Sequence, residues 1–145
     1  MTSEVASINA RFVALYSGAV IDVLDELGLG RQALPYQLRP GDPSLRLSGR
    51  AFAIEGRAHP EMDHEASMTS ILRMLAAVPS GYVAAYQPND HSCSHLGELS
   101  VVALKSRGCV GAVIDGGCRD VEFPRLCGAT HRRGNSSSRS ERFLV

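Results

Sequence analysis

Cys109-Val110-Gly111-Ala112-Val113-Ile114 is a short, almost wholly apolar run, and Asp115-Gly116-Gly117-Cys118-Arg119-Asp120 follows it without a break. An apolar run of this length, bounded by glycines, predicts a strand buried on both faces, as in parallel sheets. Upstream, Gly97-Glu98-Leu99-Ser100 opens a stretch of helical spacing that reaches Arg107 and would bury Leu99, Val102 and Leu104 or positions near them. Gly108 caps that helix. A helix feeding a buried strand that ends in charge is half of an α/β unit, and open α/β sheets bind ligands where their strands end.

The same order extends upstream. Residues 5–27 read as helical, with Val5, Ile8, Phe12, Leu15 and Tyr16 on one face and Val20, Val23, Leu24 and Leu27 continuing it. Ser17-Gly18 divides this run into two helices, with Ser17 capping the second, and Gly28 ends it. Residues 31–46, rich in proline and charge, form an ordered loop. A strand is expected over 47–55, a helix over 66–77 and a strand over 82–86, with a polar loop at 87–94. A final helix begins at Arg119, limited by Pro124. Helix and strand alternate, which predicts an α/β fold.

Composition narrows the setting. A chain of 145 residues, 44% hydrophobic, is long enough for one domain with a real core. Its net charge is zero, so nothing global favours nucleic acid or a membrane surface. Met1-Thr2-Ser3-Glu4 does not resemble a signal peptide, and the expected location is cytoplasmic. Cys93, Cys109, Cys118 and Cys127 form no C-x-x-C pair and are expected to be free thiols.

The chemistry gathers at the strand end. Asp115 stands at the close of the buried strand, and Gly116-Gly117 lets the backbone turn tightly and approach a ligand. Arg119 and Asp120 follow at a helix start, where backbone N–H groups and the helix dipole favour anions. Arginine grips a carboxylate or carbonyl in fixed geometry, and carboxylates suit Mg²⁺ or Mn²⁺. Gly97, with Glu98 beside it, offers a second set of N–H donors. The residues alone also allow a plain strand–turn–helix carrying a surface Arg–Asp pair.

Several separate motifs together resemble the RraA-like family, which includes the class II 4-hydroxy-4-methyl-2-oxoglutarate/4-carboxy-4-hydroxy-2-oxoadipate aldolases. They are Ile21-Asp22-Val23-Leu24-Asp25-Glu26-Leu27-Gly28, Leu47-Ser48-Gly49-Arg50-Ala51-Phe52, Ala77-Val78-Pro79-Ser80-Gly81, Gly97-Glu98-Leu99 and Gly111 through Asp120. The resemblance implies a swivelling β/β/α domain, assembled as a homotrimer or a hexamer of such trimers. It implies that Asp120 holds a divalent metal, Mg²⁺ or Mn²⁺, and that Arg119 contacts the keto oxygen of a small 2-oxo acid. Gly97, Glu98, Leu99 and Ser100 would receive the substrate carboxylate on backbone N–H groups, with Glu98 also ordering metal-bound water. The implied reaction is aldol cleavage to pyruvate, or decarboxylation of oxaloacetate. Other members of the family bind ribonuclease E and inhibit RNA processing without catalysis, which is one alternative function; an inactive, truncated family member is the other. Ser100 departs from the large apolar residue common at its position, and the family often has an aromatic residue near His95.

Lys105, the single lysine, lies mid-helix and is a poor candidate for a Schiff base, which needs a desolvated amine. His59-x-Glu61-x-Asp63-His64 reads as a solvated loop. His91-x-Cys93-x-His95 lacks a standard metal spacing, although His95 precedes the Gly97 loop closely enough to reach substrate. Family members continue through further strands after the Arg-Asp motif. Residues 1–127 are therefore expected to form the RraA-like domain without its last strands. The basic, serine-rich residues 128–145 are expected to be a disordered or non-native tail, the alternative being an arm for an acidic partner.

Overall fold

The computed structural model describes residues 3–36, 38, 40, 43–44, 46–119 and 143–144. In chain order the elements are α1 (Ser3–Val13), α2 (Ser17–Glu26), β1 (Arg50–Glu55), β2 (Arg57–Ala58), α3 (His64–Ala77) and β3 (Tyr82–Gln87). Then follow β4 (Ser94–Leu96), α4 (Glu98–Ser106), β5 (Gly111–Ile114), β6 (Gly117–Cys118) and β7 (Phe143–Leu144). The helix expected after Arg119, the metal residue Asp120, Cys127 and the boundary at 127/128 lie outside the described residues.

β1, β3 and β5 form a parallel sheet in that order, so the fold is α/β. Register sets Phe52, Ala84 and Ala112 side by side, and likewise Ile54, Tyr86 and Ile114. Partners in register share a face, and this face packs against Ile71, Met74 and Leu75 of α3 and Val101 and Leu104 of α4. Crossover helices on one face are what parallel neighbours require, because a hairpin cannot join them. The other face carries small residues: Ala51 and Ala53 are exposed, and Ala85 and Val113 are half-buried. Burial on both faces of β5 is therefore complete at Gly111, Ala112 and Ile114 but partial at Val113. The strand expected over 47–55 is confined to β1, because Leu47 and Gly49 instead pack over Gly111, Val83 and Val110.

Both α2 and α4 stop in the same way. Gly28 and Gly108 adopt φ of 72° and 79°, a region costly for side chains with a Cβ. At Gly28 its N–H donates to Asp25 O and that of Leu29 to Leu24 O; at Gly108 the pairs are Gly108 to Lys105 O and Cys109 to Leu104 O. This crossed pair of bonds satisfies the last helical carbonyls. The end of α1 is closed differently: the Arg46 guanidinium donates to Val13 O and Leu15 O at 3.2 and 3.1 Å.

Three details of the helices differ from expectation. Tyr16, in extended conformation, precedes α2 without a side-chain cap, and Ser17 is already helical. On α4, Leu99 and Val102 are 77% and 52% exposed while Val101 and Leu104 are buried, because periodicity defines a stripe but not which side meets the sheet. Phe12, Leu15, Tyr16, Val23 and Leu27, expected on one apolar face of these helices, are all exposed. Their helices meet at 107°, and neither turns this face onto the sheet. No single described helix is long and apolar enough to cross a membrane.

Candidate functional site

A cavity of about 150 Å³ opens at the C-terminal edge of the sheet. Ile54 and Tyr86 reach it from the ends of β1 and β3, Pro88 from the following turn, and Met68, Ile71 and Met74 from one face of α3. The Tyr86 hydroxyl lies 3.6 Å from Met74 Sδ. Asn89, itself left-handed at φ 57°, donates to Gly56 O at 3.0 Å and holds the two strand ends together beneath the cavity. This apolar wall went unread in the sequence. The usable signals were the C-terminal ends of the strands and the spacing of Met68, Ile71 and Met74.

The polar side of the cavity is built by two short strands the sequence did not reveal. β6 pairs parallel with β4, Ser94 opposite Gly117 and Leu96 opposite Cys118. The Arg119 N–H then donates to Leu96 O at 3.0 Å. Because Leu96 immediately precedes Gly97, this bond sets Arg119 beside the start of α4. Gly97 is extended and gives α4 no side-chain cap, and the first-turn amides of a helix lack intrahelical acceptors. Gly97, Leu99, Ser100, Arg119, Ser94 and His95 line that side.

Not every predicted residue meets there. Glu98, the first residue of α4, is exposed and absent from the described lining. Asp115 is half-buried, its N–H bonded to Tyr86 O at 3.0 Å, and also stands off the lining. Lys105 is exposed in the last turn of α4, away from the cavity. Around the loop expected at 59–65, His59, Glu61, Asp63 and His64 are all exposed; Asp63 caps α3, accepting from Ala66 N at 2.9 Å.

Gly116 and Gly117 approach the protein itself. A Cβ at Gly116 would come within 2.9 Å of Pro88 Cγ and 3.0 Å of His95 Cδ2, and one at Gly117 within 2.6 Å of the Cys93 carbonyl oxygen. The second obstacle is backbone and cannot swing aside. Gly117→Ala is expected to destabilise by about 1–3 kcal/mol, reversing the gain of about 0.4–1 kcal/mol that Gly→Ala brings at an unobstructed site. Urea denaturation reads the sign directly; a neutral or stabilising result would mean that β4 and β6 are not held this closely.

The segment facing Gly117 carries its own cluster. Asp90 accepts from Ser92 N at 2.8 Å and Ser92 Oγ at 2.9 Å, and Cys93 Sγ lies 3.5 Å from Asp90 Oδ2. Burial pushes the Asp90 carboxyl upward, but the Ser92 bonds, the Cys93 thiol and His95 outweigh it, and its pKa falls below the usual value. The carboxylate is thus ionised through neutral pH. Cys93, Cys109 and Cys118 are free thiols, with Cys93 and Cys118 buried.

A family model described as RraA-like (Aldolase/RraA) matches residues 18–139. No curated protein matches the sequence. A solved structure described under novel cellulases from gut-associated microbes is similar at TM-score 0.77 and 26% identity, over 99% of this chain and 65% of that one. An uncharacterised protein from Pseudomonas syringae pv. tomato gives TM-score 0.74 and 24% identity, over 96% of this chain and 62% of its own. An unusual member of the RNase ES inhibitor RraA family from Streptomyces coelicolor gives 0.68 and 24%, over 99% and 69%. The chain therefore spans less than two thirds of the first two structures, and the likenesses at 24% identity establish the fold alone.

Proposed function

This chain belongs to the RraA-like family, and we propose that within it the protein is a divalent-metal-dependent lyase. Its substrates are 2-oxo acids of the 4-hydroxy-4-methyl-2-oxoglutarate type, cleaved to pyruvate, with oxaloacetate decarboxylation as a second activity. The observation that carries this reading is the pairing of Arg119 with the uncapped start of α4 at the mouth of one apolar-walled cavity.

A 2-oxo acid has two adjacent oxygen functions, and the cavity mouth offers a partner for each. First-turn amides of α4 receive the carboxylate, aided by the helix dipole. The Arg119 guanidinium takes the keto oxygen, where negative charge develops as the neighbouring carbon–carbon bond breaks. Met68, Ile71 and Tyr86 keep water from the apolar side, which strengthens both interactions. The hard oxygen donors suited to Mg²⁺ or Mn²⁺ adjoin these residues in the chain: Glu98 lies between Gly97 and Leu99, and Asp120 follows Arg119. A metal held there supplies Lewis-acid polarisation of the keto group.

The exposed apolar residues of α1 and α2 support assembly into a homotrimer or hexamer, and the free thiols support a cytoplasmic setting. The test is pyruvate release from 4-hydroxy-4-methyl-2-oxoglutarate and from oxaloacetate. Turnover is expected with Mg²⁺ or Mn²⁺, to vanish with EDTA and to return when metal is restored. Folded protein that releases no pyruvate with either metal overturns the reading. Metal-independent inhibition of ribonuclease E by that same protein would establish the family's regulatory role instead.

A further inference from the structure

We propose that Asp90, Cys93 and His95 form a metal site for Zn²⁺, separate from the Mg²⁺ or Mn²⁺ chemistry above and independent of it. Their ligand atoms lie within 4.8 Å of one another, and Cys93 and the His95 side chain are largely buried. Tetrahedral zinc, with bonds of about 2.3 Å to sulfur and about 2.0–2.2 Å to nitrogen and oxygen, needs ligand atoms roughly 3.4–3.6 Å apart. Cys93 Sγ is 3.5 Å from Asp90 Oδ2 and 3.7 Å from His95 Nε2, which is itself 3.9 Å from Asp90 Oδ2. Movements of a few tenths of an ångström would close the set around one ion.

The histidine is oriented for this role. Its Nε2 faces both Cys93 Sγ and Asp90 Oδ2, and its 3.0 Å contact with Asp90 O is one that bound zinc would replace. Ser92 steadies the Asp90 carboxylate, Asn89 fixes the turn before it, and the β4–β6 pairing fixes the backbone after it. A thiolate selects zinc over magnesium, so this site and a carboxylate site would not compete for one ion. His95 also lines the cavity, and zinc here would pin its ring in the wall.

The full chain, stripped with chelator and kept reduced, is titrated with Co²⁺ as the spectroscopic probe. A near-ultraviolet thiolate-to-cobalt charge-transfer band is expected to saturate at one ion per chain, to bleach with Zn²⁺ and to resist excess Mg²⁺. Cys93→Ser should abolish the band, and His95→Asn should weaken Zn²⁺ binding by roughly tenfold or more. Cys109→Ser and Cys118→Ser should leave both unchanged. No band in the wild-type chain, or a band undiminished in Cys93→Ser, overturns the site. Should Cys93→Ser fail to fold, unweakened zinc binding in both His95→Asn and Asp90→Asn overturns it equally. Every readout is optical or a binding constant, so loss of the zinc site and failure of the lyase reading are distinguishable.

Discussion

Arg119→Ala is expected to lower kcat for pyruvate release by about 10²–10³-fold, the cost of removing one donor aimed at a developing oxyanion. KM should change much less, because the α4 amides proposed to receive the carboxylate are left alone by the substitution. The stability of the fold should hardly move. The Arg119 side chain is exposed at the cavity mouth, and the backbone bond from its N–H to Leu96 O is one that alanine retains. Arg119→Lys separates charge from geometry: an ammonium keeps the charge but loses the planar fork, so activity between the two is expected. Steady-state kinetics together with a thermal melt of each variant decide the matter. An alanine variant with wild-type kcat removes Arg119 from the chemistry. One that fails only by unfolding would show the side chain to be structural.

The central sheet was legible because its strands announce themselves. Cys109–Ile114 and Tyr82–Tyr86 are apolar runs with glycine or proline at their borders, and α3 and α4 carry helical spacing between them. β4 and β6 were not legible. Ser94-His95-Leu96 and Gly117-Cys118 are too short and too polar to signal pairing, and they become strands only because Gly117 allows the two backbones to meet. The same closeness explains the role of Gly116-Gly117. The sequence correctly marks a place where backbone must approach something, but only the fold reveals the Cys93–His95 segment as that something. Arg119 and the Gly97 loop were likewise readable as separate motifs. Their meeting in one cleft was readable too, but not the bond from Arg119 N–H to Leu96 O that brings them together. The N-terminal helices show the opposite limit: amphipathic spacing in Phe12, Leu15 and Val23 predicts burial, yet nothing in it names the surface that buries them.

Ile114→Ala is expected to destabilise the protein by about 2–5 kcal/mol, the range for truncating a buried isoleucine whose surroundings relax only in part. Ile114 is 0% exposed, ends β5 in register with Tyr86, and belongs to the cluster that joins the sheet to α3 and α4. Removal of three side-chain carbons there withdraws contact from the layer that forms the cavity floor. Domains of this size are stable by roughly 5–15 kcal/mol in all, so the loss is a large fraction of the whole. Ile114→Val, which keeps the branch at Cβ and removes one methylene, should cost only about 0.5–1.5 kcal/mol. The pair of variants distinguishes packing from any special demand of the position, and equilibrium denaturation in urea measures both. A loss under about 1 kcal/mol for alanine would mean that the site collapses freely, contrary to a core this closely filled. The activity of the alanine variant carries a second reading. Asp115 through Arg119 follow Ile114 directly, and Tyr86 beside it lines the cavity. A loosened strand end should therefore reduce kcat at temperatures well below the melt, whereas the valine variant, with β5 still anchored, should keep nearly full turnover.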